Sequence, residues 1–310
     1  MKQLLIVTLV LLQSVFSLSA EEKKGVHLMV LGIAQDAGYP QINCYRPHCM
    51  RVWENPQLRR TATALGLVDF DHRKKYLFEA TPNMPEQLYR FHSYAADTFY
   101  PLSGVFLTHA HMGHYSGLMF FGRESASTDK LPVFAMPKMQ AFLSSNGPWS
   151  QLVALENIKL SPLQAEQAQI LNHQLRVKPF VVPHRDEFSE TVGFEITGPN
   201  KTALFIPDID KWSLWKRSIV DEIKRVDYAF VDATFFQNGE LPNRDMSEVP
   251  HPFVQESMEV MKHLSKQDKA KVIFIHMNHT NPLLIENSTA QQLVKKQGFQ
   301  IAYPGMVVVL

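Results

Sequence analysis

The alternation of strand-like and helical segments predicts an α/β fold, and the hairpin-like succession of the first strands favours a sandwich of mixed sheets over one parallel sheet. A third observation is chemical. Several apolar runs end in histidine or aspartate, so loops at strand ends would carry the residue types that bind metals and move protons.

Taken in order, strand-like runs cover 26–33, 63–68, 76–78, 104–107, 175–182, 192–196, 203–206, 228–231 and 272–275. Helical periodicity appears at 85–94, 139–145, 212–224 and 252–264. There is no repeat, low-complexity tract or linker, so residues 21–310 read as one domain. Residues 1–20 read as a secretory signal: Lys2, a short apolar core from Leu4 to Leu12, then Ser17-Leu18-Ser19-Ala20 before Glu21-Glu22-Lys23-Lys24. An uncleaved anchor is the alternative, although the apolar stretch is shorter than the ~20 residues a spanning helix needs. The expected location is secreted or periplasmic, with no membrane contact after cleavage.

Lys plus Arg number 31 against 30 Asp plus Glu, a formal charge of +1. That balance excludes binding driven by a broad basic field, as nucleic acid would require, and leaves a small-molecule substrate held by local contacts. Oligomeric state has no sequence signal.

The densest motif is Thr108-His109-Ala110-His111-Met112-Gly113-His114, directly after the apolar Val105-Phe106-Leu107. Neutral imidazole is the commonest nitrogen ligand for zinc and similar ions, and His109 and His111, two apart, can point the same way from extended chain. Downstream, Phe180-Val181-Val182 leads to Pro183-His184, Leu204-Phe205-Ile206 to Pro207-Asp208, and Ile273-Phe274-Ile275 to His276. These strand ends can converge on one site holding one ion or two. A chance meeting of histidines in a polar loop would not predict such ordered partners.

Spacing and order resemble the metallo-β-lactamase superfamily, whose fold is a four-layer αββα sandwich with a metal site at one edge of its sheets. By that resemblance His109, His111 and His184 hold a first metal, Asp208 bridges, and His114 with His276 holds a second. Zinc is the expected metal, with manganese or iron as alternatives. The family loop reads His-x-His-x-Asp-His, and Gly113 stands where the aspartate belongs. The loss weakens the second site and removes an acid that orients the attacking water; Asp186 and Glu187, close to His184, are candidates to replace it. A bound divalent ion would lower the pKa of water towards ~7 and polarise the scissile bond.

Within the superfamily the chain resembles the branch of pyrroloquinoline-quinone biosynthesis protein B and its related phosphodiesterases. The carrying segments are Leu31-Gly32 with Gly38-Tyr39-Pro40-Gln41-Ile42-Asn43-Cys44, Pro183-His184-Arg185-Asp186-Glu187, Val231-Asp232-Ala233-Thr234-Phe235, Pro250-His251-Pro252 and His276-Met277-Asn278-His279. The resemblance implies that His251 contacts a phosphate or protonates a leaving group; a helix-start residue held by two prolines is the alternative. Asp232 either orients a histidine or caps a loop. Cys44 and Cys49, with His279 and with His48 as a fourth donor, match a structural zinc knuckle in which Arg46 replaces the middle cysteine. A Cys44–Cys49 disulfide is the competing reading for an exported chain.

The leading function is an exported metal-dependent hydrolase of an ester-type bond, a phosphodiester favoured. The alternatives are an iron-dependent oxidative enzyme like the quinone-biosynthesis relative, and a non-catalytic binding protein on the same fold. His27, His72, His92, His173 and His263 fit no pattern and read as surface or packed residues.

Overall fold

The computed structural model describes residues 23–95, 100–242 and 244–310, so the signal segment 1–20 lies outside the described residues. Two seven-stranded sheets face each other. The first contains β1 (Val26–Gly32), β2 (Ala64–Asp69), β3 (Lys74–Phe78), β4 (Leu102–Phe106), β5 (Leu131–Ala135), β6 (Ile158–Pro162) and β14 (Val307–Val309), in the order β14-β1-β2-β3-β4-β5-β6. The second contains β7 (Gln169–Ile170), β8 (Arg176–Val181), β9 (Val192–Thr197), β10 (Thr202–Ile206), β11 (Tyr228–Asp232), β12 (Val272–Ile275) and β13 (Gln300–Ile301), in the order β13-β12-β11-β10-β9-β8-β7. Each sheet is antiparallel at one end and parallel at the other: β14-β1-β2-β3 and β7-β8-β9-β10 are antiparallel, whereas β3-β4-β5-β6 and β10-β11-β12-β13 are parallel.

Both faces of these sheets are covered, which is why the strands read as near-continuous apolar runs. Strand periodicity sorts their side chains into two cores. Leu28, Val30, Leu65, Leu67, Tyr76, Phe78 and Phe106 point between the sheets, while Met29, Leu31, Leu77 and Val105 pack outward against helices Met84–Ala95 and Pro137–Ser145. Helices Ile219–Lys224, Val254–Val260 and Thr289–Lys296 supply Ile219, Ile223, Val254, Met258 and Val294 to the core around the second sheet. The four-layer αββα sandwich is therefore the observed architecture. Its centre is an aromatic stack in which the Phe106 ring lies 4.4 Å from Phe134, 5.0 Å from Phe78 and 5.7 Å from Phe194, centroid to centroid.

Three differences from the sequence reading have physical causes. The segment 212–224 is two elements: a 3-10 turn Trp212–Leu214, then a helix that restarts at Ile219 because the Ser218 hydroxyl accepts from the Asp221 N–H at 3.3 Å. The apolar spacing of Trp212, Trp215, Ile219 and Ile223 runs across the break, and this mimics one helix. The segment 252–264 is helical only over Val254–Val260, with the Glu256 carboxylate accepting from the Phe253 N–H at 2.9 Å. Strands β5 and β6 were not legible, since Pro132 and Pro162 within them argue against strand until β5 is seen pairing with β4 and β6, with β6 at the sheet edge. Among the described residues, no helix is long and apolar enough to cross a membrane.

Candidate metal centre

Every parallel strand, β8 and β1 deliver their following loops to the same edge of the sandwich. His109, His111 and His114 follow β4, His184 follows β8, Asp208 follows β10, Asp232 ends β11 and His276 follows β12. His276 adopts φ +68°, a left-handed backbone uncommon for a side chain of this size, and turns the chain sharply at the strand end.

One donor atom from each of His109, His111, His184 and Asp208 lies within 4.8 Å of the others. Asp36, His114 and His276 form a second such group, and Asp208, Asp232 and His251 a third. Asp208 stands between them: Oδ2 is 3.3 Å from His109 Nε2 and 3.0 Å from His114 Nε2, while Oδ1 is 3.5 Å from His276 Nδ1 and 4.0 Å from His184 Nε2. The structure thus brings together all six residues expected to hold metal.

The neighbours fix ring orientation. Thr108 Oγ1 lies 2.9 Å from His109 Nδ1, Thr234 Oγ1 lies 3.0 Å from His276 Nδ1, and Glu79 Oε1 approaches His114 Nδ1 to 3.5 Å. In each ring this leaves Nε2 available, the arrangement that supporting groups create for metal-bound histidine. A direct test of fit is provided by the atoms left over: His114 Nε2, both ring nitrogens of His184, His276 Nε2, Asp208 Oδ1 and Asp36 Oδ1 are buried without a hydrogen-bond partner. Buried polar atoms without partners are costly, and so many on convergent donors suit a cation.

The electrostatics agree with that fit. Burial lowers the His184 pKa to about 4, with Asp208 opposing, and burial with His114 holds His109 well below its usual value. Both rings are therefore neutral lone-pair donors at pH 7. Burial opposes ionisation of Asp208, yet His276 and His184 outweigh it and hold its carboxyl well below the usual range. For His114, burial is outweighed by Glu79, Asp208 and Asp36, which hold it well above its usual value. The negative field that keeps a proton on His114 is one that a divalent cation would satisfy in the proton's place.

His251 sits beside this centre. Its Nδ1 donates to Asp232 Oδ2 at 2.8 Å and lies 3.4 Å from Asp208 Oδ1. Burial lowers its pKa, but Asp232 outweighs that and raises it. Asp232 therefore positions His251; its other oxygen accepts from Thr234 N and Oγ1 at 2.8 and 2.7 Å. Of the two acids considered for the missing aspartate, Asp186 accepts from Thr191 Oγ1 at 2.8 Å and Glu187 pairs with His111 Nε2 at 3.0 Å. Neither joins the His114 and His276 group. Asp36 does, and it was missed although it follows the apolar run of β1 by the same strand-end logic that singled out His184 and Asp208. Glu79, at the end of β3, was missed in the same way.

Cys44 and Cys49 are joined in a disulfide, one of the two expected arrangements, and Cys44, His48, Cys49 and His279 each place a donor atom within 4.8 Å of the others, as the other arrangement requires. His48 and His279 nevertheless lie alongside, with His48 Nε2 3.6 Å from Cys44 Sγ and the two imidazole rings 5.7 Å apart.

The sequence profile described as Beta-lactamase superfamily domain matches residues 74–277. Coenzyme PQQ synthesis protein B of Gluconobacter oxydans is 24% identical over 304 residues, covering 91% of this chain and 97% of that protein. The protein of the same name from Rhizobium meliloti is 25% identical over 314 residues, covering 91% and 97%. Among solved structures, Zn(2+)-bound PqqB from Methylobacterium extorquens superposes with a TM-score of 0.76 at 22% identity, covering 92% of this chain and all of that one. A diphosphatase from the PhnP family superposes with a TM-score of 0.63 at 20% identity, covering 92% and 97%. The chain therefore belongs to the beta-lactamase superfamily and has the metallo-β-lactamase fold, with its grouped histidine and aspartate donors at the metal-binding edge.

Proposed function

We propose that the chain is an exported hydrolase that uses divalent ions, zinc foremost, to cleave an ester-type bond in a small molecule, with a phosphodiester preferred to a carboxylic ester, lactone or β-lactam. The observation that carries this reading is the pair of donor groups sharing Asp208, flanked by a His251–Asp232 pair. A divalent ion held there would lower the pKa of water and polarise the ester oxygen. His109, His111, His184 and Asp208 would hold the first ion, and His114 with His276 would contribute to the second. With His251 Nδ1–H engaged by Asp232, Nε2 is the atom left to protonate the leaving oxygen or touch the phosphate. The diphosphatase sharing this fold supports phosphoryl chemistry. Export is supported by the signal pattern of residues 1–20 and by the Cys44–Cys49 disulfide.

The second reading is the iron-dependent oxidation that the resemblance to the quinone-biosynthesis branch implies, and the near full-length likeness to Coenzyme PQQ synthesis protein B supports that branch. The two separate on assay. Metal-stripped protein reloaded with zinc or manganese is expected to hydrolyse bis(p-nitrophenyl) phosphate, to lose this with chelator, and to fall roughly 10³-fold in His184→Ala with the fold intact. Turnover of no phosphodiester, carboxylic ester or β-lactam by the zinc- or manganese-loaded protein, or turnover indifferent to His184→Ala, would refute hydrolysis. Substrate-dependent oxygen uptake by the iron-loaded protein would favour the second reading.

A further inference from the structure

We propose that Asp36 is the carboxylate ligand of the second metal position, supplied from the loop after β1 to replace the acid that Gly113 lacks. This rests on the metal reading of the site and not on the reaction it performs.

The first observation is where Asp36 lies relative to Gly113. A Cβ built on Gly113 would sit 2.3 Å from Asp36 Cα, 2.3 Å from Asp36 Oδ1 and 2.9 Å from Asp36 Cβ. The side chain of Asp36 thus fills the volume in which a side chain at 113 would begin. The two positions exclude each other: with the loop after β1 in this place, residue 113 has room only for hydrogen. The glycine and the relocated acid form one structural arrangement.

The second observation is where the carboxylate points. Asp36 Oδ1 is 3.3 Å from His114 Nε2, and Asp36, His114 and His276 each offer a donor atom within 4.8 Å of the others. Oδ1, His114 Nε2 and His276 Nε2 are all buried with no hydrogen-bond partner, and the His114 and His276 side chains are about 1% and 0% exposed. Three orphaned donors on residues grouped this closely describe a binding site. A simple ion pair would leave His276 Nε2 unexplained.

The third observation is that the loop is held in register with the histidine it would join. Gln35 N donates to Met277 O and Met277 N to Ile33 O, both at 2.8 Å, and the Asn278 side chain donates to Gln35 Oε1. The residues just before Asp36 are thereby tied to those just after His276 by two backbone bonds and one side-chain bond. Such fixed spacing is what a ligand pair needs, since a displaced donor loses most of its contribution.

The test is zinc titration of the metal-stripped, disulfide-intact protein, counted by elemental analysis after desalting and by competition with a chromophoric chelator. The wild type is expected to take up two tightly held zinc ions at this centre. Asp36→Asn is expected to keep one and to weaken the other about 100-fold or more, whereas Asp36→Glu recovers part of that loss. Because an altered loop can disturb folding, a second variant guards the conclusion. Asp36→Cys loaded with Co(2+) should show a thiolate-to-cobalt charge-transfer band that wild-type protein lacks. Two zinc ions held with unchanged affinity in Asp36→Asn, or no such band in folded Asp36→Cys, would overturn the assignment and leave hydrolysis untouched. Loss of the second ion in Glu187→Gln, with Asp36→Asn unaffected, would assign the role to Glu187 instead. A wild type binding one zinc or none would overturn the assignment too.

Discussion

Asp232→Asn offers a test of how the buried polar network supports chemistry, because it changes one oxygen to an amide nitrogen with almost no change of shape. Asp232 is fully buried, and its carboxylate accepts four hydrogen bonds: Thr234 N and Oγ1 on Oδ1, at 2.8 and 2.7 Å, and Ile209 N and His251 Nδ1 on Oδ2, at 3.1 and 2.8 Å. An amide offers an acceptor on one side only. If the nitrogen faces Thr234, the hydroxyl can rotate to accept, but the Thr234 N–H is stranded. If it faces His251, the imidazole can change tautomer, but the Ile209 N–H is stranded. Either way one buried backbone donor loses its partner, about 1–3 kcal/mol, and a charge-assisted bond is lost, about 1.5–3 kcal/mol. A destabilisation of about 3–5 kcal/mol follows, read by urea unfolding of metal-free protein.

The same substitution removes the largest charge that opposes burial at His251, so the His251 pKa should fall from its raised position. A raised folded pKa stabilises the protein fully below the unfolded value and is lost as pH rises through the folded one, so the Asp232→Asn deficit should be larger at pH 6 than at pH 9. In turnover, the protonated form of His251 should be lost at lower pH in the variant, moving the alkaline limb of kcat towards acid and lowering kcat about 10²-fold near neutrality. Stability within about 0.5 kcal/mol of wild type together with a superimposable pH profile would refute the reasoning.

Two further outcomes are expected. Gly113→Ala places a methyl 2.3 Å from the Asp36 Cα and must push back the loop after β1; it should cost about 1–3 kcal/mol in urea unfolding and weaken the second zinc without touching the first. Phe106→Ala empties the centre of the aromatic stack, so a loss of about 3–5 kcal/mol is expected, with zinc stoichiometry of the folded protein unchanged.

Much of the fold was readable because each central strand is buried on both faces. Runs such as Leu204-Phe205-Ile206 and Val272-Ile273-Phe274-Ile275 leave little alternative to a covered sheet. Weaker elements were lost where local chemistry opposed the tertiary outcome. Pro132 and Pro162 disguised two strands, and the apolar spacing from Trp212 to Ile223 hid the restart at Ser218. The helices Pro47–Glu54 and Thr289–Lys296 were also missed; each is short and buries only two side chains, Cys49 and Val52 in one and Ala290 and Val294 in the other, too few to stand out as an apolar run.

For the site, the sequence alone determined the chemistry available: three histidines in one loop, and a histidine or aspartate at the end of successive apolar runs. Those donor types and their order point to a metal wherever the strand ends meet. Tertiary structure alone decided the partnerships. That Asp36, more than seventy residues before His114, occupies the space of a side chain at 113 is a consequence of how β1 and β4 align their ends at one edge of the sheet. It also decided that Asp232 serves His251 and that Glu187 turns to His111. Spacing along the chain reports what a loop carries, whereas direction, burial and exclusion of volume arise only when distant loops are packed against one another.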